Sequence, residues 1–372
     1  MEPKKVLLLF ISEHSGHHCA SLAIEYALLA KEPEVKTLNI NSFNYTNPIL
    51  EKVINRAYMG VVTHTPELWD YLYDNPKVLK KTQKLREMMH RFNTGKLKTL
   101  LEEFKPDAIV CTQAFPCGMM ADYKKSLNLD LPIVGVLTDY APHSYWIYNN
   151  VDRYIVPSEE TGKKLIANGI DPDRIEPFGI PIDPKFLIKG DRKKICEKLS
   201  LDCDKPVVLV MGGTQGLGPI KEMVGLLDKS YTDMQVIVAA GTNKRLFDWL
   251  KSRQFRKNIL TFYYAKNVDE LMQVSNLIIT KPGGITTAEA LAKGLPMLIV
   301  NPLPGQEVMN TAFLLGEGVA VKAENPQDAV IVLEELLYNK DKLKIMSNKA
   351  LSISRPDSAL RIAELVLELA KR

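Results

Sequence analysis

Short apolar runs rich in β-branched residues recur along the 372-residue chain and limit its possible folds more than any other feature. Most of the runs are continuous rather than alternating, which is typical of parallel strands covered on both faces. Helical patterns lie between many of them, and this alternation predicts doubly wound α/β domains. The predicted strands are residues 6–11, 35–40, 108–113, 133–139, 153–157, 207–212, 234–240, 259–264, 276–280 and 296–302.

The series of strands restarts near residue 206, which predicts two α/β domains of similar size. A glycine-containing turn follows the first strand of each half, HSGHH after Ile11 and GGTQGLG after Met211. The chain is also long for a single core. We place the domains at residues 1–183 and 184–355, and expect a C-terminal helix at about 356–372 to pack back on the first domain.

Composition excludes several classes of protein. The chain is 46% hydrophobic and 25% charged, as in soluble globular proteins, and its net charge of +4 is too mild for a nucleic-acid binder. Its five cysteines form no C-x-x-C pair, so we interpret them as ordinary buried thiols in a reducing compartment. The first apolar run is short for a signal peptide, and no run approaches the roughly 18 residues of a membrane span. We therefore expect a cytoplasmic protein, including one that lies on a membrane.

Residues 43–101 depart from the α/β pattern. The first half of this segment is rich in aromatic residues, and residues 77–98 contain eight Lys or Arg against one acidic residue, Glu87. Basic charge beside apolar side chains suits an anionic membrane surface. The alternative, with equal weight, is a solvated helix that covers the core. The candidate membrane or acceptor residues are Trp69, Lys80, Lys81, Lys84, Arg86 and Arg91.

The stretch TKPGGITTAEAL, residues 280–291, reads as a strand end, a glycine turn and a helix start. The amides of Gly284, Ile285 and Thr286 would begin this helix, where unpaired N–H groups and the helix dipole favour an anion such as a phosphate. Glu289 lies one turn further on, where a carboxylate suits a ribose diol. The alternative is a capping box of Thr286 and Glu289 that binds nothing.

Two more loops follow strands of the second half, GGTQGLG and NPLPGQEVMN. Glycines allow close backbone approach in the first loop, and the second offers the mixture of donors and acceptors that a sugar needs. The first loop is a weak motif alone, since it matches neither the dinucleotide-binding fingerprint nor a P-loop, and the alternative for the second is a plain loop that leads into a helix. The candidate ligand-binding residues are Gly213, Thr214 and Gln215 in the first loop and Gln306, Glu307 and Asn310 in the second.

The first half contains a candidate general base. His17 lies at the predicted start of the first helix, where the dipole would keep its imidazole neutral and able to take a proton from a hydroxyl group. His14 and His18 are rivals on spacing alone. Asp139, at the end of a predicted strand, is the second candidate for this site, and His143 follows it.

Four segments together carry a family resemblance: SGHHCAS, LTDYAPHSYW with VDRYIVPSE, MGGTQGLGPI, and KPGGITTAEALAKGLPMLIVNPLPGQEVMN. The chain resembles, over nearly its whole length, the monogalactosyldiacylglycerol synthases and bacterial processive diacylglycerol glucosyltransferases of glycosyltransferase family 28. The resemblance implies the α/β GT-B fold, with two Rossmann-like doubly wound domains that face each other across a cleft. It also implies that the second domain holds most of the nucleotide sugar.

The resemblance further assigns roles to single residues. His17 matches the general base, and residues 43–101 match the membrane-associating acceptor side. The donor-binding positions are Gly213 and Thr214 for the phosphate-side loop, Gly284, Ile285 and Thr286 for the diphosphate, Glu289 for the ribose, Gln306 and Glu307 for the sugar with Asn310 nearby, and Val268 for the base. The chain departs from plant members in having Ser15 and Gly16 where they have a run of glycines, and in the turn residues of KPGGIT.

The expected activity is an inverting transfer of galactose or glucose from a UDP-sugar to diacylglycerol or a glycosyl-diacylglycerol. We expect no cofactor and no metal, and a location on the inner face of the cell membrane as a peripheral protein. One alternative is a transferase of the same fold with a polyprenyl-linked or soluble acceptor, although LTDYAPHSYW and the aromatic segment favour the glycerolipid branch. Another is a UDP-sugar epimerase or a noncatalytic binding protein.

Overall fold

A computed structural model describes residues 2–46 and 95–370. The chain forms two compact units. The first unit comprises Met1–Pro184, Pro304–Gln306 and Asp357–Arg372, and the second comprises Lys185–Leu303 and Glu307–Pro356. Within the described residues, no helix has the length and apolar character that crossing a membrane requires.

The first part of the chain alternates strands and helices, with short 3₁₀ turns at Ser144–Trp146, Pro172–Arg174 and Pro184–Leu187. Its elements are β1 (Lys5–Phe10), α1 (Gly16–Lys31), β2 (Lys36–Asn41), α2 (Ser42–Thr46), α3 (residues 95–104), β3 (Ala108–Cys111), α4 (Ala114–Leu127), β4 (Ile133–Val136), β5 (Arg153–Ile155), α5 (Glu159–Ala167) and β6 (Ile175–Glu176).

The alternation continues through the rest of the chain. The elements are α6 (Arg192–Lys198), β7 (Val207–Met211), α7 (Ile220–Lys229), β8 (Gln235–Ala239), α8 (Lys244–Lys251), β9 (Ile259–Phe262), α9 (Val268–Val274), β10 (Leu277–Thr280), α10 (Gly284–Ala292), β11 (Met297–Val300), α11 (Gln306–Gly316), β12 (Ala320–Ala323), α12 (Pro326–Tyr338), α13 (Lys340–Ile353) and α14 (Ser358–Leu369).

Each unit contains one six-stranded sheet in which all pairings are parallel. The strand orders are β2-β1-β3-β4-β5-β6 and β12-β11-β10-β7-β8-β9. All ten predicted strands are present, and the α/β prediction is confirmed. The sequence missed β6, which has two residues, and β12, whose middle residues are half-buried and exposed.

In each sheet the strand order changes direction at one point, and ligands bind at such points in open α/β sheets. In the first sheet the reversal lies between β1 and β3, and in the second between β7 and β10. The register of the second sheet pairs Met211 with Thr280, the last residues of β7 and β10. The loops that follow these two strands therefore start side by side.

Apolar packing holds helices on the sheets. In the first unit, buried Ala23, Ile24 and Ala27 on α1 share a core with buried Ile362 and Val366 on α14. The hydroxyl of Ser358 fixes the start of α14 by donating to the Gly179 carbonyl over 2.7 Å. Full burial of an Ile or Val side chain contributes about 1.5–3 kcal/mol. The last described helix of the chain therefore belongs to the core of the first unit.

The expectation of five ordinary thiols is wrong for two of the cysteines. Cys196, on α6, forms a disulfide with Cys203, and their Cα atoms are 5.9 Å apart. The chain reverses after α6 through Ser200, whose φ is +56°, and this reversal brings the two residues together. Cys19, Cys111 and Cys117 are free thiols, and the last two are buried.

Candidate active site

His17 lies at the carboxyl edge of the first sheet, beside the point where the strand order reverses. It is the second residue of α1, whose N-cap Ser15 accepts a hydrogen bond from the His18 N–H over 3.2 Å. Thr112, the residue after β3, bonds His17 twice. Its carbonyl lies 2.8 Å from His17 Nδ1, and its hydroxyl donates to the His17 carbonyl over 2.9 Å. The adjacent strands β1 and β3 therefore fix both the backbone and the ring of His17.

These contacts determine which nitrogen of His17 can act as a base. A carbonyl only accepts, so Nδ1 carries the proton that is donated to Thr112. The Thr138 hydroxyl also lies 3.1 Å from Nδ1. Nε2 is then the nitrogen with the lone pair. Burial lowers the pKa of His17 below its usual value, against the opposing effects of the Asp139 carboxylate and the Thr112 carbonyl. The ring is therefore neutral near pH 7.

Asp139 and His143 extend the site around His17. Both follow β4, and the charge of Asp139 raises the pKa of His17, which stabilises an imidazolium when it forms. Burial, with a smaller effect of His17, lowers the pKa of His143 to about 4. His143 is therefore neutral near pH 7, and its ring lies edge-on to Tyr145 at a centroid distance of 5.5 Å.

The rival histidines occupy different surroundings from those of His17. His18 stacks on Phe10 at a centroid distance of 4.2 Å, and its Nδ1 lies 3.4 Å from a carboxylate oxygen of Glu13. Burial lowers the pKa of His18, and Glu13 opposes this effect. His14 is exposed and precedes α1 with a φ of +55°. The hydrogen bonds of His17 leave Nε2 as its basic nitrogen, whereas Nδ1 of His18 accepts the His14 N–H over 3.3 Å.

In the second unit, the loop after β7 is folded tightly on itself. A Cβ at Gly212 would lie 2.0 Å from the Leu217 carbonyl oxygen, and Gly213 has a φ of +70°. The Leu217 N–H donates to the Gly212 carbonyl over 2.9 Å, and the Thr214 carbonyl accepts from the Thr242 N–H over 2.8 Å. Glycine is therefore required at residue 212, where the backbone doubles back.

The start of α10 presents uncapped backbone amides. Its N-cap is Gly283, and none of the described side chains caps this helix. The first helical bond runs from the Thr287 N–H to the Gly283 carbonyl over 3.0 Å, so the amides of residues 284–286 precede it. Thr286 lies inside the helix, which makes the capping-box alternative wrong. The geometry is that of an anion-binding helix start.

An ion pair lies next to this helix start. Lys281 Nζ is 2.9 Å from Glu307 Oε1, and the two side chains are 10% and 18% exposed. The other oxygen of Glu307 accepts the Leu303 N–H over 2.7 Å. Asn310 is fully buried and donates to the Pro282 carbonyl over 3.0 Å. The side chains of α11 therefore fix the turn between β10 and α10.

The remaining predicted residues lie as follows. Gln215 is exposed and Thr214 is half-buried in the loop after β7, Val268 is the first residue of α9, Glu289 is half-buried on α10, and Gln306 is the first residue of α11. The predicted membrane residues Trp69, Lys80, Lys81, Lys84, Arg86 and Arg91 lie outside the described residues.

Comparison with known proteins assigns a family to this pair of sites. The family model for monogalactosyldiacylglycerol synthase matches residues 17–182, and that for the glycosyltransferase family 28 C-terminal domain matches residues 207–361. The processive diacylglycerol β-glucosyltransferase of Bacillus mycoides is 32% identical over 367 residues, or 98% of this chain and 93% of that protein. The chain belongs to glycosyltransferase family 28. It is a hexosyltransferase that uses a UDP-sugar, as the resemblance in the sequence implied.

Solved structures identify the fold of this glycosyltransferase. Acinetobacter baumannii MurG superposes with a TM-score of 0.60 at 16% identity, covering 98% of this chain and all of that one. A UDP-GlcNAc 2-epimerase of Neisseria meningitidis gives 0.63 at 15% identity, with the same two coverages. At this identity the likeness establishes the fold alone, which is GT-B, and the prediction of that fold is confirmed.

Three residues of the glycosyltransferase's sites were missed in the sequence. Thr112 and Thr138 each lie near the carboxyl end of a predicted strand, which was the available signal, but a hydroxyl residue at that place is common. Lys281 stands in the KPGG turn and was read as part of the turn. Its burial and its partner Glu307, 26 residues away, are visible only in the structure.

Two Asp-x-Asp triplets of the glycosyltransferase form local turns. Asp171 accepts the Asp173 N–H over 3.0 Å, and Asp202 accepts the Asp204 N–H over the same distance. They precede β6 and β7, so they lie at the amino ends of those strands. Neither triplet is at the carboxyl edge where the candidate residues are found.

Proposed function

We propose that this glycosyltransferase moves glucose from UDP-glucose to a hydroxyl group of diacylglycerol or of a glycosyl-diacylglycerol, with inversion at the anomeric carbon. The relatives named for this activity match almost the whole chain at 31–32% identity, which supports glucose and a glycerolipid. The observation that carries the chemistry is the neutral His17, with Nδ1–H bonded to Thr112 and Nε2 as a base.

On the acceptor side, Nε2 of His17 takes the proton of the lipid hydroxyl as its oxygen attacks the anomeric carbon. The bond to this oxygen forms while the bond to the diphosphate oxygen breaks, and UDP leaves with the electron pair. The proton makes His17 an imidazolium, which the Asp139 carboxylate stabilises. A single displacement of this kind inverts the anomeric configuration.

On the donor side, the amides of Gly284, Ile285 and Thr286 would hold the diphosphate at the start of α10. Charge grows on the diphosphate as the sugar departs, and fixed N–H dipoles stabilise it without rearrangement. The loop at residues 213–215 would close over the phosphates, and Glu289, one turn into α10, would bind the ribose diol. The backbone at Val268 would contact the base.

Sugar recognition is assigned to the start of α11. Gln306 and Glu307 would bind the hexose hydroxyl groups, since a carboxylate and an amide offer both acceptors and donors. Asn310 is fully buried and bonded to the Pro282 carbonyl, so its contribution would be to hold the turn before α10. This assigns Asn310 a positioning role next to the donor.

The proposal also covers where the enzyme works and what it needs. We place it on the inner face of the cell membrane, held by anionic lipid through the basic residues between 77 and 98. The helix-start amides supply the positive electrostatics at the diphosphate, so transfer needs no metal. Both statements rest on the sequence and on the chemistry of α10.

One experiment tests the proposal. Purified protein is mixed with UDP-glucose or UDP-galactose and with vesicles containing diacylglycerol, with and without anionic lipid and with and without EDTA. We expect β-glucosyl lipid from UDP-glucose, faster with anionic lipid and unchanged by EDTA. Transfer to a polyprenyl-linked or soluble acceptor in place of diacylglycerol overturns the lipid assignment. Release of an epimerised UDP-sugar without any acceptor overturns the transferase assignment.

A further inference from the structure

The ion pair of Lys281 and Glu307 lies where the loops after β7, β10 and β11 meet. Lys281 is the first residue after β10, and Glu307 lies on α11 after β11. The aliphatic part of Lys281 passes the loop after β7, since a Cβ at Gly218 would lie 3.8 Å from its Cδ. Lys281 and this loop also line a small, mainly apolar pocket. The ammonium group therefore lies at a junction of three loops.

A surface ion pair is worth little, but this one is largely buried. The exposure of the Lys281 and Glu307 side chains is 10% and 18%, and loss of one partner would leave the other charge without compensation. Glu307 is also held by the Leu303 N–H at 2.7 Å. The two bonds fix the orientation of the carboxylate.

The lone pairs that remain on Glu307 define what it can bind. A carboxylate has about four lone-pair directions, two on each oxygen. Lys281 uses one on Oε1, and the Leu303 N–H uses one on Oε2. One acceptor direction is left on each oxygen, a few ångströms apart. Two hydroxyl groups on neighbouring carbons of a hexose match this pair of acceptors.

We propose that Lys281 is a positioning residue that holds Glu307 oriented to accept hydrogen bonds from two adjacent hydroxyl groups of the transferred hexose. The inference rests on the proposed function in taking a UDP-hexose as the ligand. It differs from direct binding of the diphosphate by Lys281, because the lysine acts through Glu307 and makes no contact with the phosphates.

Equilibrium binding without acceptor tests the inference by calorimetry on the full chain. Lys281→Met removes the bond that orients the carboxylate, and Glu307→Gln removes the carboxylate itself, so each should weaken UDP-glucose binding by about tenfold. The double variant should also lose about tenfold, because the two residues act as one unit. Binding of UDP, which has no hexose, should stay within about twofold of wild type in all three.

Donor analogues and conservative variants sharpen the test. UDP-glucose lacking one of two adjacent hydroxyl groups should bind the wild type more weakly, while the same deletion should cost Lys281→Met little. Lys281→Arg, which retains the charge, should restore binding to within about threefold. Lys322→Met is the matched control, because Lys322 and Glu324 are also 2.9 Å apart but exposed, and it should bind like wild type.

Several outcomes overturn the inference. Equal losses of UDP and UDP-glucose in Lys281→Met would place the lysine on the diphosphate, and a hundredfold loss in the double variant would make the two residues independent. A change in Lys322→Met would make the effect one of net charge. If Lys281→Met does not fold, Lys281→Gln, which keeps a donor for Glu307 without the charge, should bind UDP-glucose within about threefold of wild type, and a loss as large as that in Glu307→Gln would contradict the orienting role. A wild type that binds UDP-glucose but glucosylates no diacylglycerol contradicts the proposed acceptor and leaves this inference standing.

Discussion

His17 and Thr112 are joined by two hydrogen bonds that run in opposite directions. The ring N–H of His17 donates to the Thr112 carbonyl over 2.8 Å, and the Thr112 hydroxyl donates to the His17 carbonyl over 2.9 Å. The residues are 95 positions apart in sequence and meet because β1 and β3 are neighbours. This pairing fixes the position and orientation of the His17 ring, which is the base of the proposed reaction. The base therefore has its working orientation before any substrate binds.

The first prediction concerns the loss of this base. His17→Ala should lower the transfer rate by about 10²–10⁴-fold, the usual contribution of a general base. UDP binding should stay within about twofold, because the proposed donor contacts belong to other residues. Initial rates with UDP-glucose and diacylglycerol vesicles provide the measurement. His14→Ala is the control, since this exposed histidine is not the proposed base. An equal loss of transfer rate in His14→Ala would contradict the assignment of the base to His17.

The second prediction concerns Asp139 and pH. The Asp139 charge raises the pKa of His17, so Asp139→Asn should lower that pKa further. His17 must be neutral to act, so the acidic limb of the kcat/KM profile should move to lower pH. The plateau rate should fall several-fold, because a weaker base accepts the proton less readily. An acidic limb that stays in place, or moves to higher pH, would contradict the role of Asp139.

The third prediction separates helix stability from anion binding at Gly283. Gly283 has a φ of −67° and no atom within 4 Å of an added Cβ, so other residues fit there. Gly283→Asp should cap α10 and raise the free energy of unfolding by a few tenths of a kcal/mol. The same carboxylate should weaken UDP binding by about tenfold or more, since it repels the diphosphate.

Gly283→Asn is the matched control for this test. It caps the helix without charge, so it should stabilise the protein to a similar extent and weaken UDP binding less than the aspartate does. Thermal unfolding and calorimetry measure the two effects. UDP binding by Gly283→Asp at wild-type strength would show that the diphosphate lies elsewhere.

The fourth prediction compares two glycines of the second unit. Gly212→Ala should displace the loop after β7, because its Cβ would lie 2.0 Å from a backbone oxygen, and UDP binding should fall by about tenfold or more. Gly225, inside α7, has no atom within 4 Å of an added Cβ. Gly225→Ala should therefore stabilise the protein by about 0.5–1 kcal/mol and leave UDP binding intact. Loss of UDP binding in Gly225→Ala but not in Gly212→Ala would contradict the assignment of the loop after β7 to the phosphates.

The fifth prediction concerns stability in acid. The pKa of His143 is lowered to about 4 in the folded protein, so the unfolded chain takes up a proton at a higher pH than the folded one. The stability contributed by the neutral ring is present above pH 6.5 and is lost as pH falls towards 4, by at most about 3 kcal/mol. His143→Gln should flatten the unfolding free energy over that range. If the unfolding free energies of the variant and the wild type changed in parallel with pH, the lowered pKa of His143 would be contradicted.

The residues show how far sequence reasoning reaches. The strands could be predicted because each buried parallel strand leaves a continuous apolar run, and β6 and β12 were missed because they are short or half-exposed. The pairing of Cys196 with Cys203 depends on a left-handed residue at Ser200, which the sequence does not reveal. The sequence around Lys281 does not indicate that this side chain is buried. Its partner, Glu307, is 26 residues away and meets it because β10 and β11 are neighbours in the sheet.

The packing of α14 on α1 also sets the order in which the protein matures during synthesis. Ile362 and Val366 complete an apolar core that begins with residues of β1 and α1. A ribosome adds those two residues after every strand of the second unit. The unit that is translated first therefore cannot complete this one core until α14 has been made, whereas the second unit has all its strands earlier. Truncation before residue 358 would leave the unit that contains His17 open.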